Sequence, residues 1–79
     1  MMMENFLLIN RQQKRVLEAL STPGGTTSGE LKDLYGIMDG RKRISELRRM
    51  GLTINDRMES GVNRYGEPTH FKRYWLEVE

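Results

Sequence analysis

Five cationic side chains fall within nine residues near the middle of the chain: Arg41, Lys42, Arg43, Arg48 and Arg49. Guanidinium and ammonium groups pair with phosphate oxygens, and arginine also forms paired hydrogen bonds with the major-groove edge of guanine. Residues 39–51 hold these five cations against two anions, a formal charge of +3, whereas residues 1–38 sum to zero. The positive charge is therefore concentrated in residues 39–51, a segment suited to binding a nucleic acid.

The sequence contains few residues that could support catalysis or metal binding. The chain has 79 residues and no cysteine, which excludes thiolate catalysis and thiolate metal sites and is typical of a reducing cytoplasm. His70 is the only histidine, and we find no glycine-rich phosphate loop and no nucleophile beside a base. The apolar run Phe6–Ile9 is too short to cross a bilayer. We expect a cytoplasmic protein that is not an enzyme, with no metal, cofactor, membrane or small-molecule partner.

Three helices are expected to position the cations. Asn10, with Gln13 three residues on, predicts a capped first helix from about Arg11 to Leu20, followed by a loop at 21–25. Thr27 and Glu30 form a second capping-box pattern, which predicts a second helix from near Ser28.

The second helix is expected to bury Leu31, Leu34 and Tyr35 and to end at Gly36, with Ile37 filling the gap before the next helix. Asp39 is the expected N-cap of a third helix from about Gly40 to Met50. Ile44 and Leu47 should face the core, Gly40 should permit close approach, and Gly51 should end the helix beside Leu52. Two short helices joined by a glycine turn are typical of a helix-turn-helix.

Beyond Leu52 the apolar period changes to two. Residues 52–58 are expected to form a strand, Gly61–Pro68 a long turn, and Phe71–Val78 a second strand. The predicted fold class is α+β: a three-helix core in residues 10–79 followed by a two-stranded hairpin wing. Residues 1–9 form a separate N-terminal segment.

The 100° helical step assigns roles within the third helix. With Ile44 and Leu47 inward, Lys42, Ser45, Glu46 and Arg49 should face outward, and Met38 and Asp39 should lie at the leading end. Lys42 and Arg49 are the expected base or phosphate contacts with Ser45 between them, while Arg41, Arg43 and Arg48 suit phosphates on the flanks. Glu46 can accept from cytosine or pair with Lys42 or Arg49, and the pairing is favoured.

Further contacts are expected outside this helix. Arg64, in the predicted turn, can reach a minor groove or backbone, although a surface loop without function explains it equally well. Lys72 and Arg73 should point to opposite strand faces, so at most one should meet the DNA. Thr27 and Ser28 can donate to phosphate, although capping already accounts for them.

Phe71 and Trp75 are expected to form an outward aromatic pair. Such a pair needs a cover, either Phe6–Ile9 or a second subunit, and the intramolecular cover is slightly favoured.

Four segments resemble a winged helix-turn-helix family common in phages and prophages: QQKRVLEAL at 12–20, LYGI at 34–37, RISELRRMG at 43–51 and KRYWL at 72–76. In that family a Q-x-x-R/K-I/V-L first helix precedes a G-I turn and an R-I-S-E-L-R recognition helix, and the wing often ends in a basic-aromatic strand. The resemblance spans residues 12–76 and implies a small protein that binds double-stranded DNA.

Together these features predict a sequence-specific DNA-binding protein, a phage or prophage transcriptional regulator with its third helix in the major groove. Two alternatives remain open. The low net charge of +2 and the acidic tail (Glu77, Glu79) also suit a protein-interaction module, and an excisionase-type architectural factor would bend DNA. A homodimer is compatible with all three.

Overall fold

Three helices pack against a small antiparallel sheet, as a computed structural model of the chain describes for residues 10–77. The elements are α1 (Arg11–Ser21), β1 (Thr26–Thr27), α2 (Ser28–Tyr35), α3 (Gly40–Arg49), β2 (Ile54–Val62) and β3 (Pro68–Leu76). The α+β class and the order of helices and hairpin are confirmed. The first and third helices differ from the predicted bounds by one residue each.

Local capping explains where the helices begin. Gln13 donates its amide to Asn10 Oδ1 (2.8 Å) and accepts the Asn10 amide (3.1 Å). Thr27 and Glu30 exchange the same pair of bonds at 3.1 and 3.0 Å. Asp39 accepts the Lys42 amide at 3.3 Å. All three predicted caps are present, because each depends only on residues three apart in sequence.

The core consists of nine buried side chains drawn from all three helices, the turn between α2 and α3, and both long strands: Val16, Ala19, Leu20, Leu31, Ile37, Ile44, Leu47, Ile54 and Tyr74. Ile37 is fully buried, as predicted. The prediction for Leu34 is wrong, since this side chain is 74% exposed. The chain turns back at Gly36 (φ 68°) and Ile37 donates to the Leu31 carbonyl (2.9 Å), so Ile37 supplies the apolar contact expected of Leu34.

Close packing of α2 against α3 requires the glycine at position 40. A Cβ there would lie 2.7 Å from Leu31 Cδ1, and Leu31 is itself fully buried. The predicted close approach is therefore confirmed. It places the first turn of α3 directly against α2.

The sheet has three strands in the order β1-β3-β2, and not the two predicted. Thr26 and Thr27 pair with Tyr74 and Arg73, so Thr27 both ends β1 and caps α2. Gly25 (φ 67°) lies where a Cβ would come within 2.0 Å of the Tyr74 carbonyl oxygen. A two-residue strand has too few side chains to show a period in sequence.

The hairpin is longer than predicted. β2 and β3 pair without interruption from Ile54 with Leu76 to Val62 with Pro68, which leaves a turn at 63–67. Gly61–Pro68 was predicted as the turn because glycine and proline break patterns, yet both ends of that segment belong to strands. No residue from 60 to 70 is buried. The distal hairpin therefore stands away from the helices.

Candidate nucleic-acid interface

The outer face of α3 carries three side chains that are not engaged elsewhere. Lys42, Ser45 and Arg49 are all exposed, opposite the buried Ile44 and Leu47. Within residues 10–77 none of the three side chains forms a hydrogen bond or an ion pair. Two cations and a hydroxyl thus face solvent in a row, as a helix that enters a major groove requires.

The leading end of α3 is also accessible. Met38 is 79% exposed, and Asp39 and Arg41 are exposed as well. The Asp39 carboxylate is occupied by the cap of the helix, whereas the Arg41 guanidinium has no partner among the described residues. Arg41 therefore adds a third available cation to this face.

Arg43 turns toward α1. Its guanidinium pairs with Glu46 (3.1 Å) and donates to Gln12 Oε1 (3.5 Å), and only 17% of its side chain is exposed. Glu46 also accepts from Gln13 Nε2 at 2.8 Å. The outward placement of Glu46 and its pairing with Lys42 or Arg49 were therefore wrong, because α1 packs on this flank and supplies the polar partners. A phosphate contact by Arg43 would have to compete with these bonds.

Arg48 is held by the sheet. It donates to the Ile54 carbonyl (2.7 and 3.2 Å), pairs with Asp56 (2.9 Å), and lies 5.9 Å from the centre of the Tyr74 ring. These contacts join the end of α3 to β2 and β3. They leave Arg48 poorly placed for the phosphate role predicted from its position on the helix.

Lys72 and Arg73 point to opposite faces of β3, as the alternation predicted. The Arg73 guanidinium pairs with Glu59 (2.9 Å) and Glu30 (3.2 Å), and it donates to the Gly24 carbonyl at 3.3 Å. The hydrogen bond from Arg73 lowers the pKa of the Glu59 carboxyl and raises the pKa of Arg73. We call Arg73, Glu59 and Glu30 the wing clasp, since they join the hairpin to the start of α2.

Lys72 lies on the other face, beside α3. It lines a cleft of about 280 Å³ together with residues of α2, α3 and the hairpin: Ser28, Arg41, Met58, His70, Phe71 and Tyr74. We call this the wing cleft. Ser28 is half-buried at its edge, whereas Thr27 is buried and its hydroxyl is occupied by the Glu30 amide.

The tip of the hairpin is ordered by Asn63. Its carboxamide oxygen accepts from the amides of Tyr65 (2.9 Å) and Glu67 (3.0 Å), and its side chain donates to Glu67 Oε1 (3.0 Å). Arg64 and Tyr65 lie between these residues, both exposed, with Tyr65 at 77%. The turn thus presents one cation and one aromatic ring at the far end of the hairpin.

The residues matched by the pattern of the winged helix-turn-helix domain family are 11–79, nearly the whole chain. The chain belongs to this family. No curated protein matches the sequence, and no solved structure matches the chain. In the terms of the family, α2 and α3 are the helix-turn-helix, and β2 with β3 is the wing.

Membership of the winged helix-turn-helix family suggests DNA binding in general, and its domains are typically not enzymes. Within residues 10–77 there is no group of three acidic, histidine or cysteine side chains able to hold a metal ion. In the same range, no helix has the length and apolar character needed to cross a membrane.

One residue of the wing cleft was given no functional role from the sequence. His70 lies in the wing cleft with Lys72 and Arg41, although we expected no contact from it. The signal was available, because His70 and Lys72 are two residues apart on one strand and therefore share a face.

Trp75 and Phe71 lie on the face of β3 opposite Tyr74, and both are half-buried instead of exposed. Trp75 lines a second cleft, of about 310 Å³, with Leu20, Thr22 and other residues, and the Arg57 guanidinium lies 5.9 Å from its ring. The predicted cover, Phe6–Ile9, lies outside the described residues.

Proposed function

We propose that the protein binds double-stranded DNA in a sequence-specific manner, with α3 in the major groove and the wing on the flanking backbone. The observation that carries the proposal is the outer face of α3, where Lys42, Ser45 and Arg49 are exposed and unengaged. An α-helix fits the major groove of B-DNA, and side chains on its outer face reach base edges.

The remaining candidate residues divide by their contacts. Met38, Asp39 and Arg41 lie at the leading end of α3, while Lys72 and Arg64 extend the contact along the wing. Ser28, at the start of α2, lies in the wing cleft with Arg41 and Lys72. In our proposal, Arg43, Arg48, Arg73 and Thr27 support this surface and do not touch the DNA, because each is bonded within the domain. This replaces the flanking phosphate role predicted for the first two arginines.

The biological role follows from the resemblance of RISELRRMG and the other quoted segments to phage and prophage proteins. We propose a small transcriptional regulator that acts in the cytoplasm, which the absence of cysteine supports. Selection of bound sites from random duplexes would supply the target sequence. A palindromic consensus would also indicate a homodimer, because operator symmetry mirrors protein symmetry.

The decisive experiment is a salt titration of DNA affinity. The variant with Lys42→Ala and Arg49→Ala should bind the selected site more weakly. Its slope of log affinity against log salt should also be lower by roughly 1.8 if both cations meet phosphates, or by less if one meets a base. The matched control changes Lys14 and Arg15 to alanine, since both are exposed, unengaged cations on α1.

Four kinds of result would count against the proposal. Equal losses of DNA affinity in the two double variants would mean that affinity depends on net charge and not on the outer face of α3. Parent-like binding by the α3 variant would exclude this helix as the reader. Failure of the parent to bind any duplex, or binding that barely responds to salt, would favour the protein-interaction module. Bending in a circular-permutation gel shift would favour the excisionase-type factor.

A further inference from the structure

The wing cleft brings together basic side chains from two elements that are far apart in sequence. Arg41 comes from the first turn of α3, while His70 and Lys72 come from β3. None of these three side chains has a hydrogen-bonding or ionic partner within residues 10–77. The seven described residues that line the cleft include no carboxylate. The cationic groups there are thus neither paired nor neutralised locally.

The lining of the cleft is partly apolar. Met58 and Tyr74 lie beside the basic side chains, and the cleft volume of about 280 Å³ is close to the lower range of small-ligand sites. Its lining residues come from α2, α3 and the hairpin, so the cleft lies between α3 and the wing.

We propose that the wing cleft holds one backbone phosphate of the bound DNA, and that His70 is a DNA contact whose protonation strengthens binding. This inference rests on the proposed function. Arg41 and Lys72 supply charge at every physiological pH. Histidine is the side chain that ordinarily gains charge between pH 8 and pH 5, so it makes the contact adjustable.

The surroundings of His70 do not offer a competing titration. On its own strand it has Lys72, and opposite it on β2 is Ser60. Arg41 faces the cleft from α3 and Ser28 from α2. The nearest acidic residues on β2 are engaged elsewhere, Asp56 with Arg48 and Glu59 with Arg57 and Arg73. These carboxylates are therefore not available to the basic side chains of the cleft.

The test measures the Kd for the selected duplex by fluorescence anisotropy at constant ionic strength, from pH 8.0 to 5.5. Affinity of the parent should rise roughly twofold to fivefold as the pH falls, the range of one partly exposed ion pair. Because His70 is the only histidine, His70→Gln should lose this rise. His70→Lys should bind at pH 8.0 with the affinity that the parent shows at pH 5.5.

Arg41→Ala separates the cleft from a general charge effect. It should weaken binding and also reduce the response to pH, whereas Lys14→Ala, on α1, should alter neither. All four variants change exposed side chains, and thermal melts would show that they are folded. A further arm titrates inorganic phosphate alone and follows the His70 imidazole by NMR.

The outcomes distinguish the inference from the function on which it rests. If the parent binds its duplex with a Kd that does not depend on pH, and His70→Lys gains nothing, the wing cleft is not a phosphate site although DNA binding stands. If inorganic phosphate shifts the imidazole while the duplex does not, the cleft binds free anions and our assignment is wrong. If the parent binds no duplex at any pH, both proposals fail.

Discussion

Two adjacent arginines at the end of α3 should have opposite roles, and exchanging each for alanine tests the division. Arg48 is bonded to the sheet, while Arg49 faces solvent and has no partner within residues 10–77. Their adjacent positions in the sequence do not distinguish these two roles. The structure predicts that Arg48→Ala lowers stability and Arg49→Ala lowers DNA affinity.

The cost at Arg48 follows from its contacts. Hydrogen bonds from a charged guanidinium to the Ile54 carbonyl contribute about 1.5 kcal/mol. The pair with Asp56 adds about 0.5 kcal/mol, since the two side chains are 40% and 30% exposed. The contact with the Tyr74 ring adds about 0.5 kcal/mol. The total of about 2.5 kcal/mol corresponds to a fall in Tm of roughly 10–20 °C for a domain of this size.

Arg49→Ala should change the free energy of unfolding by less than about 0.5 kcal/mol, as exposed substitutions usually do. Loss of a base contact would cost about 1–3 kcal/mol of binding, or roughly 5- to 150-fold in Kd. Thermal melts by circular dichroism and anisotropy at 25 °C, where both variants are folded, measure the two effects separately. Arg48→Lys is the control that keeps the positive charge but loses the planar guanidinium, and its Tm should lie between those of the parent and Arg48→Ala.

The result that would refute this reasoning is a reversal. If Arg48→Ala has the same Tm as the parent and binds DNA more weakly, then in solution the Arg48 guanidinium is not held by its bonds to Ile54 and Asp56. Arg48 would then return to the DNA interface as a phosphate contact.

Three further predictions follow from the fold. Gly25→Ala should destabilise the domain by about 3 kcal/mol or more in denaturant titrations, because strain at positive φ is joined by a clash with a carbonyl of β3. Gly24→Ala is the control, since Gly24 also has positive φ but has open space around it, and it should cost only about 1 kcal/mol. Equal losses of stability in the two variants would count against the clash. The pKa of Glu59 is lowered in the folded state, so its contribution to stability is present above the ordinary value of 4.5 and is lost as the pH falls through the lower folded value. Glu59→Gln should therefore flatten the acid side of the stability curve, and an unchanged curve would mean that the bond with Arg73 is not formed. Asn63→Ala should loosen the tip of the wing and weaken DNA binding while Tm stays near that of the parent, since no residue of the tip is buried; a large loss of Tm would contradict this assignment.

Features that depend on neighbours in sequence could be predicted. Asn10, Thr27 and Asp39 cap the helices through residues three positions away, so the beginnings of all three helices were identified. Ile44 and Leu47 were placed in the core by the helical period alone.

Features that depend on distant elements could not be predicted. Whether a cation on α3 is available is decided by what lies beside it: α1, 33 residues earlier at Gln13, supplies the partner of Glu46, and β2 supplies those of Arg48. The helical step located Arg43 and Arg48 on the flanks but did not show that those flanks are covered. The same holds for β1, whose two residues form a strand only because β3 lies beside them.

The wing clasp has a mechanical consequence. Arg73 of the wing clasp lies opposite Arg57 in the sheet, five residue pairs before the last pair of the wing. Arg64 is therefore about 20 Å beyond the clasp. A rotation of about 10° at that base would carry the tip through about 3.5 Å, close to the 3.4 Å rise between successive base pairs. In the proposed complex the wing clasp is therefore the fixed base of the wing, and its ion pairs would set the distance along the DNA between the contacts of α3 and those of the tip.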